Sequence, residues 1–176
     1  MPSLSVFSTD LGWFGLVGAG RTVRRLLIGH ASADAVRTAL HDGNGFSVED
    51  DWQPELRRRL EQFARGERID FADCAVEESP FTPFQRRILA AVRALNYGET
   101  AAYGEVARRA GAPRAARAVG NVMRGNAVPI IIPCHRVIAA GGRLGGFSAP
   151  QGTALKRRLL EMEAAVLRES TSRRQA

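Results

Sequence analysis

Residues 103–125, YGEVARRAGAPRAARAVGNVMRG, constrain the fold more than any other stretch. Two runs with helical periodicity flank Gly111 and Pro113, a pattern that reads as helix, tight turn, helix. The first helix is expected over 103–110 and is closed by Gly111. Ala102, at its cap position, offers no side-chain acceptor. The second is expected to open at Pro113 and end at Gly125-Asn126. It carries Arg114, Arg117 and Arg124, separated by Ala115, Ala116, Ala118 and Gly120. Small residues let a backbone approach another surface closely, and arginines contact phosphates or bases. A helix packed tightly on its neighbours, with solvated arginines, fits the same pattern.

Charge bears on that choice. Residues 1–77 hold nine basic and twelve acidic residues, a net of −3, whereas 78–176 hold sixteen and six, a net of +10. A basic half joined to a mildly acidic one points to a polyanionic partner for the basic half. Two cysteines, Cys74 and Cys134, exclude a disulfide-rich scaffold and a four-cysteine zinc module. No apolar run reaches the length of a membrane span, and MPSLSVFSTD lacks a signal-peptide pattern, so a soluble intracellular protein is expected.

The chain of 176 residues suits one domain or two small ones, and it divides near residue 78. Runs 11–20 and 21–29, joined by Gly-Ala-Gly, read as a hairpin. Residues 32–40 read as a helix with Ala33, Val36 and Leu40 on one face, and 41–51 as a loop. Pro54 opens a second helix lined by Leu56, Leu60 and Phe63 and ended by Gly66. Residues 69–76 are expected to form a strand. His30, His41 and Cys74 match no zinc spacing and read as surface histidines and a packed cysteine. Thr82, Pro83 and Gln85 form a capping box for a helix whose Phe84, Ile88, Leu89, Val92 and Leu95 face the core.

Chemistry concentrates at Pro133-Cys134-His135-Arg136, after the β-branched run VPIII (128–132), which reads as a buried strand or extended segment. A neighbouring His or Arg can give a cysteine thiolate character. In extended chain, Cys134 and His135 point to opposite faces, so their contact would need a bridging water. A buried inert cysteine fits the dipeptide equally. In 153–168 the stripe Leu155, Leu159, Leu160, Met162 and Val166 carries Glu163 on or beside it. A carboxylate there needs a partner, and His135 is the natural one; the alternative is a helix-edge residue reaching solvent.

PIIIPCHRVI (129–138), preceded by ARAVGNVMRGN (116–126), resembles the O6-alkylguanine-DNA alkyltransferases, also called methylated-DNA–protein-cysteine methyltransferases. The resemblance extends over FTPFQRRILAAV, the YGEVA helix, GGFS (145–148) and LKRRLLEMEA (155–164), and more loosely over LGWFGLV in the N-terminal half. It implies an α+β protein. Residues 1–77 would be a small sheet-plus-helix, ribonuclease H-like scaffold. Residues 78–168 would be a mostly helical, helix-turn-helix (winged-helix-like) domain that binds DNA and accepts the alkyl group. Residues 169–176 would be a disordered tail.

Site roles follow from the same resemblance. Cys134 would attack the alkyl carbon on guanine O6 and keep the group, acting once. His135, a water and Glu163 would generate the thiolate, with Asn126 bracing the active-site turn. Tyr103 would protonate guanine N3. Arg117 would fill the gap left by an extruded nucleotide, while Ala116, Ala118, Gly120, Arg114 and Arg124 bring the helix into the minor groove. Val137 and Cys134 carbonyls would read the guanine amino group. Phe147 would wall the pocket, and Ser148 would meet O6 on a closing loop. Phe147 stands where several relatives carry tyrosine, and the stretch from Phe147 to Lys156, which contains SAPQG, is longer than in compact members. O6-alkylguanine, and O4-alkylthymine beside it, would be the lesions. The partner would be double-stranded DNA with alkylated guanine, without cofactor, metal or membrane, and the chain would act as a cytoplasmic, nucleoid-associated monomer. A lesion-binding module without transfer, a sequence-reading regulator and a cysteine hydrolase are the competing readings.

Overall fold

The computed structural model describes residues 2–40, 47–48, 52–79 and 81–175. The chain opens with a strand, β1 (Ser3–Thr9), and a hairpin, β2 (Gly12–Ala19) and β3 (Thr22–His30). The hairpin agrees with the Gly-Ala-Gly turn; β1, whose buried Leu4 and Phe7 are three apart, was not expected. Helix α1 (Ala33–Ala39) follows, its Ser32 cap accepting from the Ala35 N–H at 3.1 Å. Most of the expected 41–51 loop lies outside the described residues, as does His41. Within it, β4 (Ser47–Val48) pairs parallel with β1 and completes a sheet of order β3-β2-β1-β4. Helix α2 (Pro54–Ala64) buries Leu56, Leu60 and Phe63 as its spacing predicts.

Residues 69–76 correct the expectation of a strand. They make one isolated bridge, Val76 to Val23. Their carbonyls are taken by a side chain instead: the Arg93 guanidinium donates to Ala72 at 3.1 Å and to Cys74 at 2.8 Å. The Ala75 carbonyl accepts from the Val23 N–H at 2.8 Å, so contact with the sheet stops at this one bridge.

The second half is helical. Helix α3 (Pro83–Arg93) carries the full capping box, with Thr82 and Gln85 bonded reciprocally at 3.2 and 2.9 Å. Two residues of β5 (Ala101–Ala102) lead into α4 (Tyr103–Arg109), then Gly111, then α5 (Ala116–Arg124). Helix α5 thus begins three residues later than expected. Pro113 fits the second position of a turn as well as a first helical position, and the turn wins here. Arg114 therefore precedes the helix and is not part of it.

Residues 128–132 form a buried turn, which corrects the strand reading. The Ile132 N–H donates to the Val128 carbonyl at 2.9 Å, and Ile130 has φ 71°. A β-branched residue in the left-handed region is strained, and such strain collects at functional sites. A 3₁₀ turn at Cys134–Arg136 leads into β6 (Val137–Ile138), which pairs parallel with β5. Helix α6 (Gly152–Gln175) then runs to the end of the described chain. It includes residues 169–175 of the tail expected to be disordered; Ser170 and Thr171 hydroxyls bond carbonyls one turn back at 2.9 and 3.0 Å.

One apolar cluster runs through both halves, from Phe14 and Leu60 to Ile88, Val106, Ile131 and Leu159. The outer edge of β3 joins them directly: the Leu26 N–H donates to the Ala127 carbonyl at 2.8 Å. No described helix is long and apolar enough to cross a membrane.

Candidate active site

The 3₁₀ turn decides how Cys134 and His135 divide their work. With three residues per turn, adjacent side chains diverge by about 120° rather than the opposition of extended chain. Cys134 lines a pocket of about 670 Å³, while His135 turns inward and is 0 % exposed. There its Nε2 lies 2.8 Å from Glu163 Oε1. Glu163 is also 0 % exposed, so the pairing of the two was the right choice between the sequence's alternatives.

Glu163 gathers more partners than its spacing disclosed. The Arg136 guanidinium grips both carboxylate oxygens, at 3.0 Å and 2.9 Å, and donates to the Leu95 carbonyl at 2.8 Å. The Gly98 N–H adds a bond at 2.8 Å. Burial alone would raise the Glu163 pKa; the bonds from His135 and Arg136 outweigh it and hold the carboxyl down at about 2. Burial pushes His135 below the ordinary imidazole value, against the pull of Glu163. The pair is therefore a neutral imidazole against a carboxylate. A carboxylate only accepts, so Nε2 carries the ring proton and Nδ1 presents a lone pair. That Nδ1 is buried and has no partner among the described residues, a cost that one water in reach would remove.

Burial pushes the Cys134 thiol up, opposed by the Asn126 amide, the Lys156 ammonium and nearby backbone N–H groups. Asn126 spans the strained turn: its Nδ2 donates to the Ile132 carbonyl at 2.9 Å and its Oδ1 accepts from the Val128 N–H at 3.1 Å.

The pocket collects Tyr103, Ala116, Arg117, Gly120, Arg124, Phe147 and Ser148 around Cys134. Parallel pairing of β5 with β6 explains how Tyr103 arrives there, since Ala102 lies opposite Ile138 just before α4. Arg117 and Arg124 are exposed at the rim. Ser148 Oγ donates to the Arg124 carbonyl at 2.9 Å. Gly145 packs its Cα on the Tyr103 ring, and a Cβ there would lie 2.5 Å from the Tyr103 hydroxyl. Arg114, Ala118, Asn126 and Val137 do not line the pocket. Val137 is fully buried, and its carbonyl already accepts from Lys156 Nζ at 2.6 Å.

Lys156, which sequence reasoning passed over, is 1 % exposed. Its signal was present: it is the only lysine and stands seven residues before Glu163, on the same helical stripe. Arg136 could have been found as a second cationic residue beside a carboxylate that needs a partner. Among the described residues no cluster of His, Cys, Asp or Glu could hold a metal ion.

Comparison with known proteins bears on this geometry. A family model described as the DNA-binding domain of 6-O-methylguanine DNA methyltransferase matches residues 83–165. The methylated-DNA–protein-cysteine methyltransferase of Methanosarcina acetivorans is 41% identical over 109 residues, 62% of this chain and 67% of that protein. The protein of the same name from Methanopyrus kandleri is 43% identical over 63% of this chain and 80% of its own length. For the Mycobacterium tuberculosis protein of that name, 51% identity extends over 47% of this chain and 48% of the relative. In structure, the chain resembles M. tuberculosis OGT in complex with DNA, with a TM-score of 0.78, 31% identity and 93% of each chain covered. It also resembles the O6-methylguanine-DNA methyltransferase of Pyrococcus kodakaraensis, with a TM-score of 0.71, 26% identity, and 93% and 99% of the two chains covered.

Proposed function

The chain belongs to the methylated-DNA–protein-cysteine methyltransferase family, and from that premise we propose that it repairs DNA by moving the alkyl group of O6-alkylguanine onto Cys134. The observation that carries the reading is a single placement. The Cys134 thiol stands on the wall of a pocket roomy enough for a nucleotide, next in sequence to a buried imidazole–carboxylate pair.

His135 Nδ1 takes the thiol proton through a water, while Glu163 holds the imidazole by its Nε2–H. The thiolate attacks the alkyl carbon in line, an S–C bond forms and the C–O6 bond breaks. The electron pair moves onto the guanine, whose N3 takes a proton from the Tyr103 hydroxyl; solvent restores that hydroxyl. A thioether is a poor leaving group, so each molecule acts once. Electrostatic and positioning effects do the work, because the resting thiol is held protonated by burial and ionises only as the proton finds His135.

A nucleotide stacked in a duplex cannot reach this pocket. Helix α5 is proposed to lie in the minor groove on Ala116, Ala118 and Gly120, with Arg114 and Arg124 on phosphates and Arg117 in the stack position vacated by the flipped base. The α4–α5 pair would be the helix-turn-helix of a winged-helix-like domain that begins near residue 78, and the preceding sheet a ribonuclease H-like scaffold. The Val137 carbonyl keeps one lone pair beside its bond to Lys156, enough to read the guanine amino group. Phe147 would wall the base, and Ser148 would exchange the Arg124 carbonyl for O6. O4-alkylthymine presents a similar alkyl ether and belongs to the same proposal.

The test is a duplex bearing one O6-methylguanine, incubated with the protein in equal amount. The expected product is one methyl on Cys134 by intact mass and peptide mapping, with guanine restored. An unmodified Cys134 alongside an intact lesion refutes the reading.

A further inference from the structure

Residues 143–151 roof the pocket; the Arg143 carbonyl accepts from the Ala139 N–H at 2.8 Å, and three side-chain anchors on three different elements hold the rest. Lys156 of α6 reaches the Gly146 carbonyl at 3.4 Å, and Ser148 is bonded to the end of α5. The third anchor crosses to the N-terminal half. Gln151 Nε2 donates to the Gly29 carbonyl of β3 at 2.9 Å.

Gly29 can accept that bond because β3 is irregular there. Trp13 pairs with His30 and Gly15 with Leu27, so Ile28 and Gly29 together oppose Phe14 alone. Such a bulge re-aims backbone groups away from the ladder. Gly29 has φ 73°, the left-handed conformation that glycine adopts without penalty. A Cβ there would lie 2.7 Å from Leu155 Cδ2 and 3.1 Å from Gln151 Nε2. Conformation and space both reserve the position for glycine, and what fills the space is the roof's own anchor.

We propose that the Gly29 bulge is the fixed post of the pocket roof, and that Gln151, tethered to it, is a positioning residue that sets which alkyl groups the pocket admits. The inference rests on the proposed transfer to Cys134 and gives the N-terminal half a part in it. Of the three anchors, only this one depends on a residue before position 78. The roof segment it restrains includes Phe147, which faces the pocket, and Gly145, which seats on Tyr103. A roof freed at Gln151 can lift from the Cys134 side and make room for a larger group.

Two measurements on the full chain test this. Hydrogen exchange of amides 143–149 in the free protein is compared between wild type and Gln151→Ala. The rates of Cys134 modification by duplex O6-methylguanine and duplex O6-benzylguanine are then compared in both. Expected are faster roof exchange and a benzyl-to-methyl ratio raised by about fivefold, the equivalent of one hydrogen bond. Gly29→Ala, which displaces both Gln151 and Leu155, should move the ratio the same way. Unchanged roof exchange overturns the tether, and faster exchange with a ratio unchanged within twofold overturns its part in selection. Wild-type protein that takes no methyl from DNA refutes the transfer instead, while the exchange result still decides the tether.

Discussion

Lys156 and Glu163 lie seven residues apart on α6, and that one helical face delivers a buried cation to the Val137 carbonyl and a buried carboxylate to His135. Two turns of helix place them one above the other. Neither charge is neutralised by the other. Each is spent on the short segment that carries Cys134, so α6 is the element that ties the thiol, its base and the pocket roof into one rigid unit.

Removing one of those charges should be costly. Glu163→Gln leaves the Arg136 guanidinium buried without its counter-charge, at a cost of about 3–5 kcal/mol. A lowered unfolding midpoint in thermal or denaturant melts is expected, together with slower methyl transfer. Glu163→Gln with wild-type stability would mean that the Arg136–Glu163 contact contributes little.

The same carboxylate sets the acid limb of stability. Its folded pKa, about 2, lies below the ordinary value of 4.5. A depressed carboxyl stabilises the fold above its unfolded pKa, and the contribution is lost as pH falls through the folded one. Stability should therefore be flat with respect to Glu163 above about pH 5 and decline between there and pH 2. Denaturant midpoints measured across that window should show a steeper loss in wild type than in Glu163→Gln.

Transfer should follow a different group. The proposed base is neutral His135, whose pKa burial holds below 6.5. The rate of Cys134 methylation should persist below pH 6.5 and fail only as the imidazole takes a proton. Glu163 raises the His135 pKa, so Glu163→Gln should move this limb to lower pH even as the absolute rate drops. Single-turnover rates from pH 4.5 to 8 provide the check, and a limb that moves upward contradicts the assignment.

What the sequence disclosed was mostly local. The capping box of α3 and the β2–β3 hairpin depend on residues within a few positions of each other, and both formed as read. Glu163 was legible because a carboxylate interrupts an apolar stripe. The run 128–132 was misread for the opposite reason. Its β-branched residues favour strand, but Asn126 bonds both ends of the segment and forces Ile130 through the left-handed region. Propensity there yields to one amide whose partners are fixed only once the fold exists. Arg93 on the 69–76 carbonyls is the same lesson from another element. The Gln151–Gly29 bond, spanning 122 positions, leaves no local trace at all.

Arg117 should separate DNA handling from chemistry. It is exposed at the pocket rim, so Arg117→Ala should leave the unfolding midpoint within about 0.5 kcal/mol of wild type. Extruding a nucleotide costs about a few kcal/mol, and the arginine is proposed to offset part of it. Methyl transfer from duplex DNA should fall about tenfold or more, while reaction with the free base O6-benzylguanine should stay near the wild-type rate. Equal losses on both substrates would place Arg117 in the chemistry and not in the flipping.

Asn126 tests whether the strained turn is held in place by a single side chain. Asn126→Ala removes a donor to the Ile132 carbonyl and an acceptor for the Val128 N–H in one step. The Val128 N–H is then left unpaired, at about 1–3 kcal/mol, whereas the Ile132 carbonyl still accepts from the Cys134 N–H at 2.7 Å; the strained Ile130 loses one of the restraints that hold it in the left-handed region. The unfolding midpoint should drop accordingly. The amide also stabilises the Cys134 thiolate, so the thiol pKa, followed by the pH dependence of alkylation with iodoacetamide, should rise further. Asn126→Asp keeps the acceptor but places a negative charge beside the sulfur, and should raise the thiol pKa more than alanine does. A thiol pKa unchanged in both variants would show that Asn126 braces the backbone alone.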